Sequence, residues 1–277
     1  MCMRITNNSG LPECLVDLIK ADQKPPIENR FSVTQIIGNI PELLLNRKYY
    51  DYIDLDVSDC VNTIFGTAVH DLIEKFDKTG MAEYDVEYSI GQYTIAGRID
   101  LYDETTHTLI DWKTASSFKV KKGDFSDYKK QGLVYAWLLL KNGIIVDKLA
   151  FYVFIKDWNE RCEFPHIYKW EYKVTINDLI YIEQFLNDQL SKITTYDIDN
   201  LPKCEDTWYT GDKYAIYSKS NARADRVFDS EQEAHDYITN HCGGVGRIEI
   251  RKGQHRKCQN YCTCRSFCKY WKEREVE

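Results

Sequence analysis

No stretch of this sequence approaches the roughly 20 consecutive apolar residues that a membrane-spanning helix needs. The richest run, Val134–Leu140, is far too short. The opening MCMRITNNSG lacks the charged start and long apolar run of a secretion signal. Also missing are an internal repeat, a low-complexity tract and a Gly-x-x-x-x-Gly-Lys-[Ser/Thr] loop, so no ATP motor is evident. Nor is there an excess of positive charge. The 36 Lys+Arg against 43 Asp+Glu leave a net charge of −7, which excludes a generally basic coat for nucleic acid but leaves room for a local basic channel. A soluble, cytoplasmic protein is expected. Its 277 residues, 43% of them hydrophobic, suffice for one large domain or a core with a smaller appendage.

What the sequence has in abundance is cysteine, ten in all. Cys2, Cys14, Cys60 and Cys162 are scattered and read as inert small hydrophobes. Cys204, Cys242, Cys258, Cys262, Cys264 and Cys268 crowd into the last quarter. Without a secretion signal, clustered thiols point to metal or iron–sulfur ligation rather than to disulfides.

Residues 1–30 carry few periodic apolar positions and the breaker Lys24-Pro25-Pro26, and read as a loosely held arm. A helix is expected from Ser32, a suitable N-cap, through Pro41 and on to Leu45. Val61, Ile64, Phe65, Ala68, Val69, Leu72, Ile73 and Phe76 recur at helical spacing and predict one buried stripe, ended by Gly80. Strand-like segments follow at 83–90, 93–102 and 108–113, then a well-buried helix over 126–141, strands at 148–155 and 167–174, and a helix over 176–192. That order predicts an α/β fold with a mixed central sheet flanked by helices. The expected divisions are an N-terminal arm and helix (1–56), a core (57–200) and a cysteine-bearing segment (201–277) with a small α/β insert at 207–252.

The chemistry concentrates on two strands. In Ile110-Asp111-Trp112-Lys113, alternation puts Asp111 and Lys113 on one face. A tight turn centred on Thr105-Thr106 sets Asp100 opposite Asp111 on that face, whereas a one-residue slip would separate the carboxylates. Two carboxylates and a lysine can hold a hard divalent cation and stabilise charge developing on a phosphate. An ordinary Asp–Lys surface pair would have the same spacing. On the preceding helix His70 and Glu74 are four apart, adjacent on one face and opposite the apolar stripe. They read either as an exposed pair or as a metal ligand with a carboxylate beside it. Glu87, on the first strand, reads as an edge-strand charge.

Gly66-x-x-x-His70-x-x-x-Glu74, Gly97-x-x-Asp100, Asp111-x-Lys113 and Gln131-x-x-x-Tyr135 occur in that order. The series resembles the PD-(D/E)xK nuclease superfamily, in particular its RecB-like branch with the CRISPR-adaptation exonucleases and bacteriophage relatives. The resemblance covers about residues 30–195, with Asp111 where Glu is commoner. It implies a restriction-endonuclease-like core and phosphodiester hydrolysis by metal-activated water. His70, Asp100 and Asp111 would bind Mg²⁺ or Mn²⁺ with the Trp112 carbonyl, Glu74 would support the attacking water, and Lys113 would position it. Gln131 and Tyr135 would orient the substrate strand, although Tyr135 lies among core residues and can equally pack. The resemblance also implies a C-terminal four-Cys cluster, [4Fe–4S] or alternatively Zn²⁺, here through Cys204, Cys258, Cys262 and Cys268, with Cys14 or Cys60 as other upstream ligands and Cys264 as a competitor. Such a cluster is structural, and spacing does not choose between iron–sulfur and zinc.

Lys119-Val120-Lys121-Lys122, Lys129-Lys130 and the run Arg251–Lys257 are local basic segments on an acidic protein, as a phosphate track needs. The expected activity is a DNA exonuclease on ends or single strands in replication, recombination or repair, in the bacterial cytoplasm if phage-encoded, with a helicase or recombination partner in trans. The rivals are a structure-specific endonuclease on the same fold and an inactive nucleic-acid-binding module.

Overall fold

Ser32 opens the first helix of the core with a capping box: its hydroxyl accepts from the Gln35 N–H while the Gln35 side chain accepts from the Ser32 N–H. In the computed structural model, which describes residues 3–76, 81–218 and 223–275, the chain forms two units that divide between Leu201 and Pro202. The first contains, in order, β1 (Arg4–Thr6), α1 (Glu13–Asp22), β2 (Arg30–Ser32), α2 (Val33–Ile36), α3 (Ile40–Lys48), β3 (Asp54–Asp56), α4 (Val61–Glu74), β4 (Met81–Ile90), β5 (Tyr93–Asp103), β6 (Thr108–Ala115), α5 (Ser117–Lys122), α6 (Ser126–Lys141), β7 (Lys148–Ile155), β8 (Ile167–Lys173) and α7 (Ile176–Thr195).

The central sheet of this unit is mixed, and β5 organises it. β4 runs antiparallel along one edge of β5, from Met81 opposite Tyr102 to Ile90 opposite Tyr93. The other edge is shared: β2 pairs in parallel with Thr94–Ala96, and β6 pairs antiparallel with Leu101–Asp103. The α5–α6 crossover returns the chain to β7, parallel to β6, and β8 closes the sheet antiparallel to β7. α6 is apolar nearly all round and buried from Gly132 to Leu139. It packs with Ile95, Ile99, Leu149 and Phe151 of the sheet and with Ile182 and Leu186 of α7 in one core. This is the α/β architecture expected, a mixed sheet flanked by helices.

Three expectations need correction. The helix predicted from Ser32 through Pro41 is two helices, because Pro41 has no N–H to bond the Ile37 carbonyl and instead sits in the first turn of α3. Residues 1–30 are no loose arm. Val16 and Ile19 of α1 are buried with Val57 and Cys60 in a satellite core, and β1 pairs with β3. The stripe on α4 is largely uncovered: Phe65 is 53% exposed, Leu72 60% and Phe76 76%. Periodicity marks the apolar face of a helix but not whether another element lies against it. Gly80 falls outside the described residues.

The second unit holds β9 (Lys213–Tyr217), β10 (Arg226–Phe228), α8 (Glu231–His241), β11 (Arg247–Arg251), α9 (Arg256–Asn260) and α10 (Lys269–Glu275). β9 lies between β10 and β11, all antiparallel, and Ile216 packs on Ala234 and Ile238 of α8. Ser230 caps α8 by accepting from the Glu233 N–H.

Candidate active site

β5 and β6 stay paired as far as Leu101 and Ile110, and there they part. One step further on, Asp100 and Asp111 lie on the same face, in the register that a turn over Thr105-Thr106 imposes. Beyond the fork the Trp112 backbone has lost its β5 partner, and side chains take up both of its polar groups. Its N–H donates to Asp100 Oδ2 at 2.7 Å. Its carbonyl lies 2.9 Å from His70 Nε2.

His70 comes down from α4 with Nδ1 3.4 Å from Asp100 Oδ1, so both ring nitrogens meet acceptors. The Asp100 carboxylate raises the His70 pKa against the opposing effect of burial. Asp111 is 6% exposed, and burial pushes its carboxyl up while Lys113 pulls it down. The Lys113 ammonium donates to Asp111 Oδ1 at 3.0 Å. Oδ2, at 2.7 Å from the same nitrogen, feels its charge but accepts no aligned hydrogen.

α6 supplies the wall behind Lys113. Gln131 Oε1 accepts from Lys113 Nζ at 3.0 Å, so the ammonium is held between Asp111 and Gln131. Tyr135, one turn on, is 8% exposed, and burial pushes its phenol up. Its ring approaches Gly97 so closely that a β-carbon there would lie 2.5 Å from the ring edge. Gln131 and Tyr135 thus belong to the inner wall of the site, where they brace Lys113 and β5. The Glu74 side chain lies outside the described residues.

One acidic residue is unexpected. Glu83 of β4 stands opposite Asp100, and the donor atoms of His70, Glu83 and Asp100 lie within 4.8 Å of one another. Only its place two positions into a strand paired with Gly97–Asp100 signals it in the sequence. Glu87, four residues along, forms an ion pair with Arg30. Beside the site opens a cleft of about 800 Å³ lined by Gly66, His70, Glu83, Arg98, Arg47 and Lys24, among others.

The basic segments are less bare than their sequence implies. Lys119 pairs with Asp127, Lys122 with Asp124 and Lys129 with Asp178, while Lys252 pairs with Asp212. Among the cysteines, Cys262 and Cys264 bring their sulfurs to 3.6 Å, and Cys264 is fully buried. Cys204, Cys258 and Cys268 are half-buried, and among the described residues no three thiols lie within 4.8 Å of one another. Cys60 packs in the satellite core and donates to the Asp56 carbonyl, while Cys14 is exposed. Among the described residues no helix is long and apolar enough to cross a membrane.

Residues 77–269 match the family model of the PD-(D/E)XK nuclease superfamily. Several solved structures share part of the chain trace. The crystal structure of SSO0001 is 19% identical with a TM-score of 0.49, covering 66% of this chain and 86% of that one. An alkaline exonuclease from Laribacter hongkongensis is 13% identical with a TM-score of 0.40, over 60% of this chain and 88% of that one. A phage-related exonuclease from Haemophilus somnus is 12% identical with a TM-score of 0.40, over 66% and 88%. A search of curated proteins finds no match. The family match spans most of the sequence and includes the forked strands with Asp100, Asp111 and Lys113; the chain belongs to the PD-(D/E)XK nuclease superfamily, whose members cleave nucleic acid with the help of divalent metals.

Proposed function

We propose that this protein is a Mg²⁺- or Mn²⁺-dependent deoxyribonuclease that works as an exonuclease on DNA ends or single strands in replication, recombination or repair. The observation that carries the reading is the Lys113 ammonium held between the buried Asp111 and Gln131, beside the Asp100–His70 pair. The donor set suits such a cation: an imidazole, carboxylate oxygens and a buried Asp111 oxygen that accepts no hydrogen bond. His70, Asp100 and Asp111 would hold the ion, with the Trp112 carbonyl beside them. The cation would supply Lewis acidity and activate water at neutral pH.

The chain's own groups do the rest. Lys113 would orient the attacking water and neutralise the charge that grows on the phosphate oxygens, a preorganised donor in a partly dry site. Gln131 keeps the ammonium from swinging toward solvent, and Tyr135 packs β5 against α6. Glu74 is assigned the support of the attacking water. The reading further places a structural cluster, [4Fe–4S] or alternatively Zn²⁺, on Cys204, Cys258, Cys262 and Cys268, and a helicase or recombination partner in trans in the cytoplasm. Iron, sulfide and zinc assays on anaerobically purified protein decide the cluster.

The test of function compares wild type and Lys113→Ala on end-labelled linear single- and double-stranded DNA beside closed circles, in Mg²⁺, Mn²⁺ or EDTA. Metal-dependent loss of linear DNA alone, abolished by the substitution, is expected. Nicking of circles would replace the exonuclease with an endonuclease. Binding without cleavage under every condition would make the protein an inactive binding module.

A further inference from the structure

Glu83 reaches the active site from β4, a strand that none of the four sequence motifs touches. Ala82 pairs with Leu101 and Tyr84 with Ile99, so Glu83 faces Asp100, yet that one pair drops out of the ladder. The interruption coincides with a backbone φ of +46° at Glu83. This is the left-handed region, where a β-carbon is crowded and glycine is favoured. A glutamate held there within a strand is strained, and such strain persists where the surroundings over-determine the conformation.

The next two acidic residues on the strand face are each matched by an arginine, Asp85 by Arg98 at 3.0 Å and Glu87 by Arg30. Arg98 also lies 3.9 Å from Glu83, and one Glu83 oxygen lies within 4.8 Å of the donor atoms of both His70 and Asp100. Asp111 stands on the same face across the fork, buried, with an oxygen that accepts no hydrogen bond. Converging carboxylates repel one another, and a divalent ion that takes several oxygen ligands reverses the sign of that interaction.

We propose that Glu83 is a ligand of the active-site divalent cation, acting with His70 and Asp100 and supplied by the strand outside the recognised motifs. The proposal rests on the metal-dependent nuclease reading. It assigns the distortion of β4 a purpose: ideal strand geometry would keep the Glu83–Asp100 pair in the ladder, and the positive φ re-aims the carboxylate.

Mn²⁺ binding to the full chain without DNA, followed by the electron paramagnetic resonance signal of the free ion, tests this. The proteins compared are wild type, Glu83→Gln, Glu83→Gly, Asp100→Asn and Glu87→Gln. Glu83→Gln and Asp100→Asn are expected to weaken Mn²⁺ by at least the roughly tenfold that loss of even a supporting partner costs a metal site. Glu87→Gln should bind as wild type does. Glu83→Gly should bind as weakly as Glu83→Gln yet melt no lower than wild type in EDTA, since glycine relieves the positive φ. Wild-type affinity in Glu83→Gln with loss in Asp100→Asn would reduce Glu83 to a partner of Arg98 and overturn the inference alone. Wild-type affinity in Asp100→Asn as well would overturn the metal-dependent reading beneath it. A Glu83→Gly chain that melts well below wild type would overturn the strain argument and give Glu83 a role in holding the fold.

Discussion

Asp100 Oδ2 accepts the Trp112 backbone N–H at 2.7 Å, at the point where β5 and β6 separate. One carboxylate therefore closes the fork in the sheet with one oxygen and faces His70 with the other. The two duties can be separated. Asp100→Asn keeps an acceptor for Trp112 and should melt near wild type, while cleavage falls by roughly 10²-fold or more, the scale of losing a group that stabilises transition-state charge. Asp100→Ala also strands a half-buried N–H, and should cost a further 1–3 kcal/mol or so of stability. Thermal melts beside single-turnover cleavage rates would show the split.

Gln131 offers a finer probe of Lys113. Removing the acceptor with Gln131→Ala should lower kcat while KM stays near wild type if the side chain acts through Lys113, which it meets at 3.0 Å. Gln131→Glu retains an oxygen at that position and should recover a large part of the rate. Equal loss in both variants, with KM rising instead, would mean that Gln131 contacts the DNA strand directly.

The two glycines of the active-site motifs should respond in opposite directions. Alanine at Gly97 would meet the Tyr135 ring at 2.5 Å and the Val33 side chain at 3.0 Å. Over-packing of this kind costs about 1–3 kcal/mol, and the melting temperature should fall. Alanine at Gly66 meets nothing within 4 Å and sits inside α4. It should stabilise the helix by about 0.5–1 kcal/mol. A Gly97→Ala protein as stable as wild type would show that α6 can withdraw from β5 at little cost.

Acid stability should depend on Asp178. Its carboxyl is partly desolvated, which raises its pKa, but hydrogen bonds from Thr175 and Tyr172 outweigh burial and leave it below the ordinary 3.8. A depressed folded-state pKa contributes stability above the unfolded value and loses it as pH falls through the folded one. The stability difference between wild type and Asp178→Asn should therefore be full near neutrality and shrink below about pH 4. Urea unfolding at stepped pH measures it, and a pH-independent difference would show that the carboxylate's charge is not what stabilises the capping box that Asp178 forms with Thr175 at the start of α7.

Much of the candidate site's geometry follows from local rules. Thr105-Thr106 centres a short hairpin, so the two-residue period of a strand places Asp100 and Asp111 on one face and Lys113 with them. The strands and the buried helix α6 were legible for the same reason, since their apolar spacing lies within a few neighbouring residues. Pro41 marked where α3 begins, although the apolar spacing runs through it.

What tertiary structure decided were relations between residues far apart in the chain or dependent on a single backbone angle. Glu83 enters the site because β4 pairs along β5 and its φ turns positive, and neither leaves a periodic trace. Val16 and Ile19 are buried only because Val57 and Cys60, some forty residues later, come to meet them. Lys119, Lys122 and Lys129 are drawn into pairs with aspartates that charge counting alone leaves unmatched. The α4 stripe stays open because amphipathic spacing states which face is apolar and not what covers it. Sequence by itself determined the sheet, its hairpin register and the residue types at its fork; the packing of distant segments decided which of them meet there, because burial and ion pairing depend on distances in space that no local spacing encodes.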